Sequence, residues 1–120
     1  MRLREIIALT EARALSPDSD FDREVRSGFA SDLMSDVLRY NVIQGLLITG
    51  LTNPQIIRTA EMADLAAVLL VRGKLPLPET VDLARQAGIP ILGTECTMFE
   101  ACGRLYAHGL PECKRYTNDS

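Results

Sequence analysis

Ser31, Asp32, Ser35, Asp36, Thr49, Thr52 and Asn53 crowd one stretch of the chain and offer the most chemistry of any cluster in it. Asp32 and Asp36 stand four residues apart, so a helix would put them on one face, with Ser31 and Ser35 close by. Two carboxylates at that spacing cost an isolated helix roughly 0.2–0.5 kcal/mol, and Asp is a poor helix former away from the ends. The placement asks for a metal, a basic partner, or hydrogen bonds to a neighbouring loop or subunit. The plain alternative is a solvated face with Arg39 nearby. Thr49, Gly50, Thr52 and Asn53 follow an apolar run and lead into a helix start, as Thr94 and Thr97 do further on. Free N–H groups and the positive dipole end make helix N-termini natural anion sites. Ordinary capping is the competing reading of Asn53 and Thr97.

Other chemistries find little support. Cys96 precedes a helix start that could lower its thiol pKa. The single histidine, His108, falls at the far end of that helix, on the order of 15 Å away, so the two cannot pair within one chain. Cys96, Cys102 and Cys113 follow no zinc spacing, and neither G-x-x-x-x-G-K-[ST] nor G-x-G-x-x-G occurs. No catalytic residue, metal ligand or cofactor is therefore assigned. A net charge of −3 weighs against binding a phosphate backbone, and an aromatic content of 5% without Trp weighs against stacking on bases. Nucleic acid is not an expected partner. No apolar run reaches the roughly 20 residues of a membrane span, and MRLREIIAL carries charges and no small-residue cleavage site. An odd number of cysteines suits a reducing cytoplasm.

The elements that must position these residues can be read in order. Leu3, Ile6, Ile7 and Leu9 suggest a short amphipathic helix. Residues 11–15 and 25–29 suggest brief strands, the second antiparallel to a neighbour, with a turn cluster over 16–20 between them. Leu33, Met34, Val37 and Leu38 predict a helix over 31–40 with Ser31 as its N-cap. Residues 45–49, 66–71 and 89–92 are continuously apolar, as strands covered on both faces are. Asn53-Pro54 starts one helix, Pro78 starts another that Gly88 stops, and Thr97-x-x-Glu100 opens the last as a capping box. Strands alternating with helices predict an α/β fold: a layered α/β/α arrangement with a largely parallel central sheet and short mixed strands from the N-terminal third. One domain is expected over 1–111, followed by a flexible polar tail over 112–120.

An ordered set of segments resembles the DRTGG domain family, in particular its small stand-alone members. These are Ala30-Ser31-Asp32-Leu33-Met34-Ser35-Asp36-Val37, Leu47-Ile48-Thr49-Gly50, Ala67-Val68-Leu69-Leu70-Val71-Arg72-Gly73, Gly88-Ile89-Pro90-Ile91-Leu92 and Phe99-Glu100-x-x-Gly103-Arg104-Leu105-Tyr106. Such domains resemble the N-terminal domain of the HPr kinase/phosphorylase and also occur beside CBS domains in some pyrophosphatases. The literal Asp-Arg-Thr-Gly-Gly string is absent, and Thr49-Gly50-Leu51-Thr52 takes the comparable place after a strand. The resemblance implies an accessory, dimerising, ligand-sensing role rather than catalysis. The expected function is a non-catalytic regulatory or interaction domain, a homodimer that senses a small anionic, nucleotide- or phosphate-like ligand or binds a partner enzyme. Its ligand would sit at Thr49, Gly50, Thr52, Asn53, Thr94 and Thr97, and its interface at Ser31, Asp32, Ser35 and Asp36. The alternatives are a small enzyme working through Asp32, Asp36 and Cys96 on a phosphorylated or acyl substrate, and a ligand-free structural adaptor.

Overall fold

The apolar runs become the middle of a sheet. In the computed structural model, which describes residues 1–16 and 20–115, three parallel strands form its centre: β4 (Leu46–Thr49), β5 (Ala67–Leu70) and β6 (Ile91–Gly93). Every residue of β4 and β5 is buried because the sheet is covered on both faces. Two edge strands complete it: β1 (Arg13–Ala14) runs antiparallel to β6, and β2 (Gly28–Ala30) runs parallel to β4, giving the order β1-β6-β5-β4-β2. The fold is therefore the expected α/β layering around a mostly parallel sheet.

Alternate strand side chains feed two cores. Leu46, Ile48 and Leu69 pack with Leu3 and Ile6 of α1 (Leu3–Thr10) and with Ala101 and Leu105 of α5 (Met98–Ala107). Leu47, Val68, Leu70 and Ile91 pack on the other face with Ile56, Ile57 and Ala60 of α3 (Gln55–Met62) and Ala84 of α4 (Pro78–Ala87). Local signals set these helices. Asn53 Oδ1 accepts from the Gln55 N–H at 3.0 Å, Pro78 occupies the first turn of α4, and Gly88 closes α4 at φ 70°.

Three expectations need correction. The helix over 31–40 shrinks to α2 (Met34–Val37), with Leu33 still extended at φ −112°, ψ 107°. Ser31 Oγ accepts from the Leu33 N–H at 2.9 Å, and Asp32 is drawn across to the end of β4, so side chains divert the backbone from a helical start. Ser31 does not cap, and Asp32 shares no helix with Ser35 and Asp36. Second, β2 is parallel to its neighbour rather than antiparallel, with Phe29 opposite Leu47. Third, the start of the supposed tail is tied in. Gly28 donates to Pro111 O at 2.9 Å and accepts from the Cys113 N–H at 3.1 Å, while β7 (Lys114–Arg115) pairs with β3 (Tyr40–Asn41). Cys113 is buried, which a loose polar segment would not allow. Most of the turn cluster, over 17–19, lies outside the described residues.

Candidate functional site

Four parallel strands bring their carboxyl ends to one rim, where open α/β sheets bind ligands. The end of β4 and the loops after β2, β4, β5 and β6 supply Thr49, Asp32, Gly50, Arg72–Gly73 and Thr94–Cys96.

Asp32 is the hub. Its Oδ1 accepts from the Gly50 N–H and from the Thr49 hydroxyl, both at 2.8 Å. Thr49 Oγ1 in turn accepts from the Leu51 N–H at 3.2 Å, which holds the hydroxyl proton on the carboxylate. The Gly50 N–H does most to hold the Asp32 carboxyl below its ordinary pKa, partial burial opposes it, and the Thr49 hydroxyl and the Arg72 charge assist. The physical need that two carboxylates on one helix would have raised is met here within the chain, by a loop on the adjacent strand.

Arg72 stands over this hub. A Cβ added to Gly50 would lie 2.6 Å from Arg72 Nη2 and 3.6 Å from Asp32 Oδ2, so the guanidinium covers the Gly50 α-carbon beside the carboxylate. A side chain at position 50 would displace the guanidinium from this place. Arg72 itself holds a left-handed backbone at φ 58°, followed by Gly73 at φ 66°. A side-chain-bearing residue there costs roughly 1–2 kcal/mol, and the surroundings impose it: the Arg72 N–H donates to Cys96 O at 2.8 Å and the Gly73 N–H to Thr94 O at 2.9 Å. The guanidinium is exposed and, among the described residues, engages in no salt bridge. The rim thus joins a backbone N–H, a hydroxyl and a guanidinium at one point, the donor set that an oxyanion needs.

Other predicted positions serve the local structure, Thr52 through its backbone carbonyl and Thr94 and Thr97 through their hydroxyls. Thr52 O accepts from Thr80 Oγ1 at 2.7 Å and from the Leu77 N–H at 3.2 Å, which ties the β4 loop to α4. Thr94 is buried, donates to Thr10 O at 2.6 Å and accepts from the Cys96 N–H. Thr97 Oγ1 accepts from the Glu100 N–H at 3.1 Å as the cap of α5, while Glu100 turns its carboxylate to Arg104. Of the six predicted ligand residues, Thr49 and Gly50 meet at the hub, where Asp32 joins them. Arg72 was not singled out from the sequence; an Arg-Gly pair directly after an apolar strand was the available signal.

Among the described residues no catalytic or metal-binding group assembles around the thiols. Cys96 is buried with Sγ 3.5 Å from Thr10 O, and His108 Nδ1 lies 2.8 Å from Arg104 O at the opposite end of α5. Burial pushes the Cys102 thiol up, and burial with Glu112 nearby pushes Cys113 up to about 11, away from thiolate chemistry. Among the described residues no three His, Cys, Asp or Glu side chains converge as a metal site, and no helix is long and apolar enough to cross a membrane.

No family profile matches the chain, and no curated protein does. Among solved structures, the fold is similar to the CBS and DRTGG domains of the regulatory region of a Clostridium perfringens pyrophosphatase, complexed with its activator diadenosine tetraphosphate. The TM-score is 0.70 at 20% identity, over 92% of this chain and 47% of the other, so this chain spans about half of that region. The likeness is one of fold, and it agrees with the DRTGG-like resemblance carried by the sequence.

Proposed function

We propose that this chain is a non-catalytic regulatory domain that binds a nucleotide- or phosphate-bearing anion at the rim formed by Thr49, Gly50 and Arg72. One observation carries the reading: a backbone N–H and a hydroxyl converge at 2.8 Å on a carboxylate, alongside an arginine that forms no salt bridge among the described residues. In this arrangement Asp32 is a tethered anion resting in the cradle. A ligand oxyanion takes its place on the same donors, and Arg72 supplies the charge that favours the exchange. The shared fold with a regulatory region that binds a nucleotide activator supports the same class of ligand. Residues 1–111, with the strand that follows, act as one cytoplasmic unit, a homodimer that reports ligand binding to a partner enzyme. Asn53, Thr94 and Thr97 shape the loops rather than touch the ligand.

The test is a thermal-shift and calorimetric series with inorganic tripolyphosphate, ATP and diadenosine tetraphosphate on the wild type and on Arg72→Gly. Glycine relieves the left-handed backbone, so Arg72→Gly keeps or gains stability, by about 1 kcal/mol. The variant should lose the saturable stabilisation that the wild type shows with at least one of the probes. No response from the wild type, or an equal response from the variant, rejects the site. The absence of any response would favour the ligand-free adaptor, in which the Asp32 contacts serve only to join β2 to β4.

A further inference from the structure

The segment that contains α2 is held to the body of the protein at few points. At one end, the Ser31 N–H donates to Ile48 O at 3.0 Å. At the other, Val37 is fully buried in the core beneath α3, with Met34 partly buried beside it. Between them, the polar hold on the sheet is the Asp32 carboxylate, through the Gly50 N–H and the Thr49 hydroxyl. Among the described residues, the other hydrogen bonds of this stretch close on itself. They run from the Leu33 N–H to Ser31 Oγ, from Asp36 to Leu33 O, from Leu38 to Met34 O and from Arg39 to Asp36 O. Leu33 is 58% exposed, so it gives the segment little packing.

With four residues, α2 is a single turn of helix. One turn fixes more backbone than its hydrogen bonds repay, so it persists only where its surroundings hold it. Val37 and Met34 hold its inner side, and Asp32 fixes where the chain enters it. The donors that Asp32 uses for this are the ones that the rim offers to an anion. A carboxylate and a ligand oxyanion cannot both sit on one N–H and one hydroxyl, because like charges at contact distance repel. The Arg72 charge, which now favours the Asp32 carboxylate, is drawn to the ligand instead. Occupancy of the rim therefore removes the tether.

We infer that Asp32 is a latch: an oxyanion bound at Thr49, Gly50 and Arg72 releases residues 32–36, and α2 loosens while Ser31 and Val37 stay in place. The inference names the element that the site regulates, and it rests on the reading of the rim as an anion site. Its sign sets it apart from simple binding. A ligand that only binds the native state slows local opening near it, whereas release of the latch speeds opening at α2.

The experiment is amide hydrogen exchange followed by NMR. Wild type is measured alone and with inorganic tripolyphosphate, ATP or diadenosine tetraphosphate, with binding checked by calorimetry on the same samples. Asp32→Ala is measured without any anion. With an anion bound, the amides of Asp36, Leu38 and Arg39 should exchange roughly tenfold faster or more, while those of β4 and β5 do not speed up. Asp32→Ala should show a similar acceleration at the same three amides. An anion that binds while these amides hold their rate or slow overturns the latch and leaves the binding site standing. An Asp32→Ala protein that keeps its β4 and β5 protection and is unchanged at α2 overturns the latch as well. Should that variant fail to fold, the wild-type comparison decides by itself. A wild type that binds none of the three anions overturns the latch together with the site.

Discussion

At the scale of single residues, Asp32 decides most about the rim. It stands outside any helix, and its carboxylate gains hydrogen bonds from the Gly50 N–H and the Thr49 hydroxyl that the unfolded chain lacks. A carboxyl whose folded pKa is depressed contributes stability that is present above the unfolded pKa and lost as pH falls through the folded value. The Asp32 contribution is therefore complete above about pH 4, near the unfolded reference, and fades with acidification below it. In urea titrations from neutral to acid pH, Asp32→Asn should start lower in stability and show a shallower acid decline than the wild type. Parallel pH profiles for the two proteins would show that the carboxylate is not held as described. The strain at Arg72 belongs to the same hub: a left-handed arginine over a glycine is retained against its conformational preference.

At the scale of elements, α3 carries a local inconsistency. Thr59 is fully buried on its inner side, and its Oγ1 has no hydrogen-bond partner among the described residues. A hydroxyl taken from water without compensation costs about 1–3 kcal/mol, and valine has nearly the same shape. Thr59→Val should raise the urea midpoint without changing its slope, a gain of about 1 kcal/mol. A loss of stability would mean that the hydroxyl is satisfied after all. The other helices show how capping and packing divide the work. Thr97 fixes where α5 begins, yet Ala101 and Leu105 fix which side faces the sheet, leaving Phe99 and Tyr106 outward.

At the scale of the whole molecule, the two cores on either side of the sheet are joined at the β2 edge by the segment that follows α5. Cys113 enters the core beside α3 and α4, and the backbone bonds of Pro111 and Cys113 to Gly28 close the open side of β2. Replacing that thiol by a hydroxyl puts a polar group where burial already disfavours charge. Cys113→Ser should therefore lower stability by about 1–2 kcal/mol in denaturant titration. An unchanged midpoint would return this segment to the status of a loose tail.

Much of this organisation could be read before any fold was known. Apolar runs without alternation demanded strands covered on both faces, and Asn53, Pro54, Pro78, Gly88 and Thr97 marked helix ends, because capping and backbone preference act within a few residues. Thr49 and Gly50 were legible as site candidates for the same reason, standing just beyond a strand. The length of α2, the direction of β2, the anchoring of Cys113 and the position of Arg72 were decided by the tertiary structure. Asp32 finds its donors 17 and 18 residues away, and Arg72 reaches Gly50 only once β5 lies beside β4. Helical periodicity over 31–40 was a real local signal, but it lost to hydrogen bonds whose partners come into reach only through the strand order.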